Sequence, residues 1–417
     1  MAGTDIVKQG ETGSALFLIR SGTVEIIRNG VSIKTMGKFD YFGEISLILN
    51  EPRGATVRAK TPVSLYILEQ NDLNRVVDER MRTSVVQTVR MEQLSLSLQD
   101  LHVVSMLERN QYGETYLLQH ALSDLKFIGV AYEKGKLGKS GKLSNMREAL
   151  ELYQSLDHPL LSKLHKTIKT NSHLYLIREF VPGTSLDRLI YDHGKLNEAL
   201  VRFYAGNLLL TLEYLHDRSI LYRNLASEYV VIDEIGYPRL CVFEHTKRVE
   251  GRTNSVAGVA HFMAPEVILG QYYGIGADLW SLGVLVFEMT QGKVPFGAKA
   301  QTPYEVYEDI LRHKKVKTQG TQALAGLIDT LLASNPSSRA KGGVDSFKQQ
   351  EWFQGFPWEE VMTQEAIPPL LPRVRQFPQE FAKSLARKEL LTAFSTPSEA
   401  ALTLEQEHQW TALELSS

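Results

Sequence analysis

The chain has 417 residues, enough for two or three domains that each bury a core of their own. Its formal charge of −2 and its pI near 6.6 exclude the basic field that would hold nucleic acid or an anionic membrane. A single cysteine, Cys241, excludes a disulfide scaffold and is typical of a reducing, cytoplasmic setting. The sequence offers no apolar run of the roughly 20 residues that a transmembrane segment needs, and no signal peptide is readable.

Short stretches of alternating apolar and polar residues over positions 15–35 predict β-strands. Asn29-Gly30 suits the positive φ of a tight hairpin turn, and a further apolar run at 63–68 closes the segment. Glycines punctuate these strands at Gly10, Gly13, Gly22, Gly30, Gly37 and Gly43. The pattern indicates an all-β roll of the jelly-roll type, with a ligand-free sandwich as the alternative.

Residues 42–47 and 52–57 resemble the phosphate-binding cassette of cyclic nucleotide-binding domains. The resemblance implies that Arg53 pairs with the cyclic phosphate and that Glu44 binds the ribose 2′-hydroxyl. It implies a cradle made of Gly43, Glu44, Ile45, Arg53, Gly54 and Ala55, in which backbone amides at a helix start face the phosphate. Gly54 lacks the hydroxyl with which cyclic-GMP-selective members meet guanine, so cyclic AMP and cyclic GMP both stay open.

Residues 72–101 carry apolar side chains at helical spacing, with charges between them and with neither Pro nor Gly. They predict one or two amphipathic helices that pack against the neighbouring domains. In proteins related to the cassette family the equivalent helices move when nucleotide binds. By that resemblance, these helices are the expected route of a signal.

The region from residue 102 onward resembles the catalytic domain of AGC protein kinases. Residues 263–266 resemble the Ala-Pro-Glu motif, and residues 276–283 resemble the helix known as αF. The resemblance implies a buried ion pair between Glu266 and Arg339, and it implies that Asp278 holds the backbone of the catalytic loop. These residues predict a folded large lobe.

The catalytic motifs of that family are altered where the chemistry takes place. Residues 222–229 read Tyr-Arg-Asn-Leu-Ala-Ser-Glu-Tyr, where the family has Tyr-Arg-Asp-Leu-Lys-Pro-Glu-Asn. By this resemblance the replaced groups are the general base (Asn224), the phosphate-contacting lysine (Ala226), the metal-binding asparagine (Tyr229), the metal-binding aspartate (Val242) and the ATP-pairing lysine (Val130). Val242 cannot ligate Mg²⁺ and Tyr229 lacks the amide oxygen of asparagine, so neither a metal site nor ATP binding is expected.

Two further positions depart from the kinase pattern. Glu108 takes the place of a glycine in the phosphate-covering loop and puts a carboxylate near anionic phosphates. Ser255 takes the place of the activation-loop phosphothreonine of related kinases, within reach of Arg223, and is interpreted as a solvated loop serine.

The predicted fold class is α+β multidomain, with a cyclic nucleotide-binding β-roll followed by a bilobal protein-kinase-like domain. The expected boundaries are 1–78 for an N-terminally incomplete roll, 79–101 for a helical linker, 102–354 for the kinase-like domain with lobes of about 102–180 and 181–354, and 355–417 for an AGC-type tail. The chain is identified as a member of the cGMP-dependent protein kinase family.

The predicted function is that of a cyclic-nucleotide-binding regulatory pseudokinase. The expected ligand is cGMP or cAMP, and the expected partner is a protein that docks on the kinase-like surface in the cytoplasm. Two alternatives stay open: an unconventional or weakly active serine/threonine kinase that uses ATP, and a scaffold with neither site occupied.

Overall fold

The computed structural model describes residues 2–49, 51–76, 96–110, 112–123, 125–139, 143–312 and 315–372. The chain divides into two compact units, Met1–Ser97 and Leu98–Ser417. Most of the linker expected at 79–101, and the tail beyond residue 372, lie outside the described residues. Within the described ranges no helix is long and apolar enough to cross a membrane.

The described part of the first unit is a β-roll of two antiparallel sheets. Its elements are β1 (Asp5–Val7), β2 (Ala15–Ser21), β3 (Val24–Arg28), β4 (Val31–Met36), β5 (Tyr41–Phe42), α1 (Glu44–Leu49), β6 (Thr56–Ala59), β7 (Ser64–Glu69) and α2 (Gln70–Val76). One sheet has the order β1-β6-β3-β4 and the other the order β5-β2-β7. Between β3 and β4, Asn29 and Gly30 both have positive φ, as the Asn-Gly pair predicts. The predicted roll is therefore confirmed.

The small lobe of the second unit is a five-stranded antiparallel sheet. Its elements are β8 (Leu101–Arg109), β9 (Gly113–His120), β10 (Lys126–Glu133), α3 (Lys134–Lys139), α4 (Leu143–Ser155), β11 (Leu164–Lys169) and β12 (His173–Glu179), with the strand order β11-β12-β10-β9-β8. Side chains from one face of β10 and β12 pack against Met146 and Leu150 of α4. This packing fixes α4 against the sheet.

The large lobe is mainly helical. Its elements are β13 (Gly183–Ser185), α5 (Leu186–His193), α6 (Glu198–His216), β14 (Ile220–Leu221), β15 (Val230–Asp233), β16 (Pro238–Leu240), β17 (Lys247–Arg248), α7 (Pro265–Ile268), α8 (Gly276–Gln291), α9 (Pro303–Arg312), α10 (Gln322–Leu331), α11 (Pro336–Arg339), α12 (Asp345–Lys348) and α13 (Trp358–Met362). Helix α8 buries 14 of its 16 residues, so it forms the centre of the lobe. A Cβ at Gly283 would lie 2.6 Å from the Leu331 Cβ, so glycine lets α8 and α10 approach closely.

The ion pair expected between Glu266 and Arg339 is present and fully buried. Arg339 also donates from Nε to the Gly276 carbonyl at 3.0 Å, which ties α11 to the start of α8. Burial lowers the pKa of the Arg339 guanidinium, and the Glu266 carboxylate acts in the opposite direction. The pair therefore anchors α7, α8 and α11 to one another.

We expect Arg339→Met to lower the unfolding free energy of the second unit by about 3–5 kcal/mol, because the Glu266 carboxylate would stay buried without its cation. Urea unfolding followed by tryptophan fluorescence measures the change. The matched control is Arg312→Met, since the Arg312–Glu308 pair is exposed and should contribute less than about 1 kcal/mol. Equal effects of the two substitutions would show that the buried pair has no special role.

Candidate nucleotide sites

Arg53 lies beneath the surface of the β-roll, with 7% of its area exposed. Its Nη1 donates to the Gly43 carbonyl at 2.9 Å and to the Ser46 hydroxyl at 2.5 Å, and its Nη2 donates to the Ala15 carbonyl at 2.8 Å. The guanidinium also lies over the Phe17 ring, 5.6 Å from its centroid. The cation is thus held by β2 and by the start of α1.

Two glycines make room for this guanidinium. A Cβ at Gly13 would lie 2.1 Å from Arg53 Nε, and a Cβ at Gly43 would lie 2.5 Å from Arg53 Nη1. Gly43 also has a φ of +91°, a conformation that side chains with a Cβ rarely adopt. Both positions therefore require glycine for Arg53 to keep its place.

The other predicted cassette residues differ in what the structure shows of them. Glu44 is the first residue of α1 and is half-buried. Burial lowers the pKa of the Arg53 guanidinium, while the Glu44 carboxylate acts to raise it, which places that carboxylate within electrostatic reach. Ile45 and Ala55 are half-buried beside them, and Gly54 is exposed. The structure thus places Gly43 and Glu44 near the Arg53 cation.

Sequence reasoning gave no role to Ser46, although Ser46 contacts Arg53 directly. Its hydroxyl accepts from Arg53 and donates to the Gly43 carbonyl at 3.2 Å, and the residue is 2% exposed. The available signal was a small hydroxyl residue within the apolar cassette helix, where a buried polar group needs a partner.

In the second unit, the loop that follows β14 is held by the buried carboxylate of Asp278. Asp278 Oδ2 accepts from the Tyr222 amide at 3.0 Å and Oδ1 accepts from the Arg223 amide at 2.7 Å. His216 Nε2 lies 2.8 Å from Oδ2. The expected task of this aspartate, holding the loop backbone, is confirmed.

The five positions at which the kinase resemblance implies altered catalytic groups lie on both lobes. Val130 lies on β10, Asn224 and Ala226 follow β14, Tyr229 ends a 3-10 turn, and Val242 follows β16. Val130 is 2% exposed within the apolar cluster against α4. Among the described residues no group of three or more His, Cys, Asp or Glu side chains is placed to hold a metal ion.

Comparison with known protein families agrees with this architecture. The protein kinase domain family matches residues 101–353, and the cyclic nucleotide-binding domain family matches residues 1–80. The chain belongs to the protein kinase family. It joins this domain to a cyclic nucleotide-binding domain that precedes it in the sequence.

The chain aligns with curated relatives over most of its own length. The chain is 31% identical to the cGMP-dependent protein kinase of Toxoplasma gondii, 30% identical to that of Eimeria tenella and 29% identical to that of Plasmodium berghei (strain Anka). These alignments cover 98%, 98% and 93% of the chain but 41%, 40% and 46% of the relatives. The chain therefore spans less than half the length of these relatives.

Three carboxylates lie within electrostatic reach of Tyr229, the position at which the resemblance implies a metal-binding asparagine. Burial raises the pKa of Tyr229, and Glu228, Glu108 and Glu244 raise it further. Glu108 is therefore within electrostatic reach of the large lobe, as its place in the phosphate-covering loop implies. Anionic phosphates would meet repulsion from these groups.

Ser255 differs from its expected state as a solvated loop serine. It is half-buried, and its hydroxyl accepts from Arg223 Nη1 at 2.7 Å. Tyr273 Oη donates to the Ser255 carbonyl at 2.5 Å, and Arg223 Nε donates to the His245 carbonyl at 2.7 Å. The prediction was wrong because the Arg223 side chain, 32 positions away in the sequence, reaches the Ser255 hydroxyl and partly covers it.

Proposed function

We propose that the protein is a regulatory pseudokinase that binds a cyclic nucleotide in its N-terminal domain. The nucleotide phosphate pairs with Arg53, and the ribose 2′-hydroxyl binds Glu44. Nucleotide binding then alters the surface that the kinase-like domain offers to a protein partner in the cytoplasm. Phosphoryl transfer is absent from this function.

The observation that carries the nucleotide site is the buried Arg53 cation with neutral partners. Its hydrogen bonds go to two backbone carbonyls and one hydroxyl. Buried charges in proteins are normally paired with an opposite charge. Among the residues that the structure describes, no carboxylate lies within 4.0 Å of the guanidinium. A phosphate would supply the missing charge and two further acceptors, which supports an anionic ligand here.

The support for a pseudokinase comes from the chemistry of the substituted side chains. Asn224 has no carboxylate to accept a hydroxyl proton, and loss of a general base lowers a rate by roughly 10²–10⁴. Val242 cannot ligate Mg²⁺, and Val130 cannot pair with phosphates. Each loss acts on a different part of phosphoryl transfer, so their effects combine.

The choice between cyclic GMP and cyclic AMP depends on contacts to the base. The relatives named above are cGMP-dependent kinases, which favours cyclic GMP. Gly54 offers no side-chain hydroxyl, and a Cβ built there meets only Arg28 Nη2, at 3.9 Å. The position therefore has room for a larger side chain.

Isothermal titration of the full chain with cyclic GMP and cyclic AMP tests the nucleotide site. We expect binding that Arg53→Ala weakens by at least about 100-fold, because charge-assisted hydrogen bonds to the phosphate are lost. Gly13→Ala should weaken binding as well by displacing the guanidinium. The matched control is Gly37→Ala, where a Cβ meets no atom within 4 Å. Failure of the unaltered chain to bind either nucleotide would favour the ligand-free scaffold.

Gly54→Thr should raise the affinity for cyclic GMP relative to cyclic AMP by about tenfold, which corresponds to one added hydrogen bond to the guanine amino group. Gly54→Val is the control, because valine has the shape of threonine without its hydroxyl. The same titrations measure both variants. An equal change for threonine and valine would contradict a hydroxyl contact with the base.

Phosphoryl transfer is measured with Mg²⁺, labelled ATP and serine/threonine peptides. We expect no turnover above background from the unaltered chain, and none from Asn224→Asp, because Val242 and Tyr229 still cannot hold metal. Asn224→Ala controls for a co-purifying kinase, whose activity would be the same in all three preparations. Turnover that differs between the unaltered chain and Asn224→Ala would support the weakly active kinase instead.

A further inference from the structure

A buried ion pair crosses between the lobes at the inner end of the cleft. Arg178, near the end of β12, places Nη1 3.2 Å from Oε1 of Glu244, which follows β16. The two side chains are 8% and 9% exposed. Arg178 Nη1 also donates to the Cys241 carbonyl at 2.8 Å, and Tyr132 Oη donates to Glu244 Oε1 at 3.2 Å. Small-lobe strands β10 and β12 are thus tied to one loop of the large lobe.

The next residue of β12 makes a second ion pair of opposite polarity. Arg239 of β16 donates from Nη2 to both carboxylate oxygens of Glu179, at 3.1 and 3.0 Å. Arg178 and Glu179 thus pair with Glu244 and Arg239, at the two ends of the segment 239–244. Two crossed pairs fix the register of this segment against β12.

Phe243, between Val242 and Glu244, adds aromatic contacts to the same region between the lobes. The Phe243 ring stacks on Tyr153 of α4 with centroids 4.2 Å apart and meets Tyr222 edge-on at 5.7 Å. Phe243 is 1% exposed. The segment is therefore held by the small-lobe sheet, by α4 and by the loop after β14.

The energetics favour a permanent contact. Burial lowers the pKa of the Arg178 guanidinium, but the Glu244 carboxylate, acting together with Tyr153, Tyr132 and Cys241, raises that pKa overall. Arginine stays protonated in proteins, and Coulomb attraction is strong where water is excluded. Glu244 Oε2 is buried and has no hydrogen-bond partner in the described structure. Removing the Arg178 cation alone would therefore leave a poorly solvated carboxylate.

We propose that the Arg178–Glu244 pair, with Tyr132 and the Glu179–Arg239 pair, is a lobe latch that holds the two lobes together without bound nucleotide. In kinases that keep the family's residues, a lysine at position 130 and a metal ligand at position 242 meet on the nucleotide phosphates. In this chain the ion pairs Arg178–Glu244 and Glu179–Arg239 connect the two lobes instead. The lobe latch goes beyond cyclic nucleotide binding and does not require it.

A double-mutant cycle in the full chain tests the lobe latch through Arg178→Met, Glu244→Gln and the double variant. We expect each single substitution to lower the melting temperature of the second unit by about 5–10 °C. The double variant should lose clearly less than the sum of the two singles, because no charge stays buried unpaired. The control cycle uses Arg188→Met and Asp192→Asn, an exposed pair within α5, and should be additive.

Hydrogen exchange followed by mass spectrometry gives a readout specific to the segment. Exchange of peptides that cover 241–248 should rise at least about tenfold in either single variant and should not respond to Mg²⁺-ATP in the unaltered chain. Tyr132→Phe removes one hydrogen bond to Glu244 and should raise exchange in the same segment, which keeps the test available where a single charge variant does not fold.

Two results would overturn the lobe latch: additive effects in the Arg178/Glu244 cycle, or strong protection of residues 241–248 by Mg²⁺-ATP in the unaltered chain. A failure of cyclic nucleotide binding appears in the titrations and leaves the cycle unchanged. Turnover in the phosphoryl-transfer assay likewise leaves the coupling between Arg178 and Glu244 unchanged. Each proposal can therefore fail independently of the other.

Discussion

The buried carboxylate of Asp278 is the group on which the loop after β14 depends. It accepts the backbone amides of Tyr222 and Arg223, so it fixes the loop path through main-chain atoms alone. The identity of residue 224 does not enter these hydrogen bonds. The path of this loop at residues 222 and 223 therefore does not depend on which side chain stands at position 224.

The charges of the two domains are arranged in opposite ways. In the kinase-like cleft the cation of Arg178 is neutralised by Glu244, and further carboxylates lie around Tyr229. In the β-roll, Arg53 is buried with neutral hydrogen-bond partners. In the kinase-like cleft an anionic ligand would find a cation that is already neutralised. In the β-roll it would pair with a buried cation that has only neutral hydrogen-bond partners. This contrast supports assigning the nucleotide to the N-terminal domain.

Motifs of fixed local spacing made much of this structure predictable from sequence. The Asn29-Gly30 turn and the grouping of Glu44 with Arg53 follow from short segments, and the Glu266–Arg339 pair follows from a family pattern. The Arg178–Glu244 pair was missed because no family pattern links these two residues, which are 66 positions apart. The available signals were a charged residue near the end of an apolar strand and a glutamate two residues after Val242. Contacts of this kind depend on how strands pack, which local patterns do not encode.

The lobe latch bears on how a kinase-like domain can regulate without catalysis. Nucleotide binding in an active kinase couples the arrangement of the lobes to the ligand, since the phosphates contact both. The proposed lobe latch would remove that dependence, because the attraction between Arg178 and Glu244 is present at all times and is shielded from salt by burial. Under the proposed function, the variable that remains is the occupancy of the site at Arg53. A change in that occupancy affects a bound partner only if some structural element between the two sites has two discrete arrangements. The cleft, held by the lobe latch, would then keep one arrangement and form a constant part of the surface that the partner contacts.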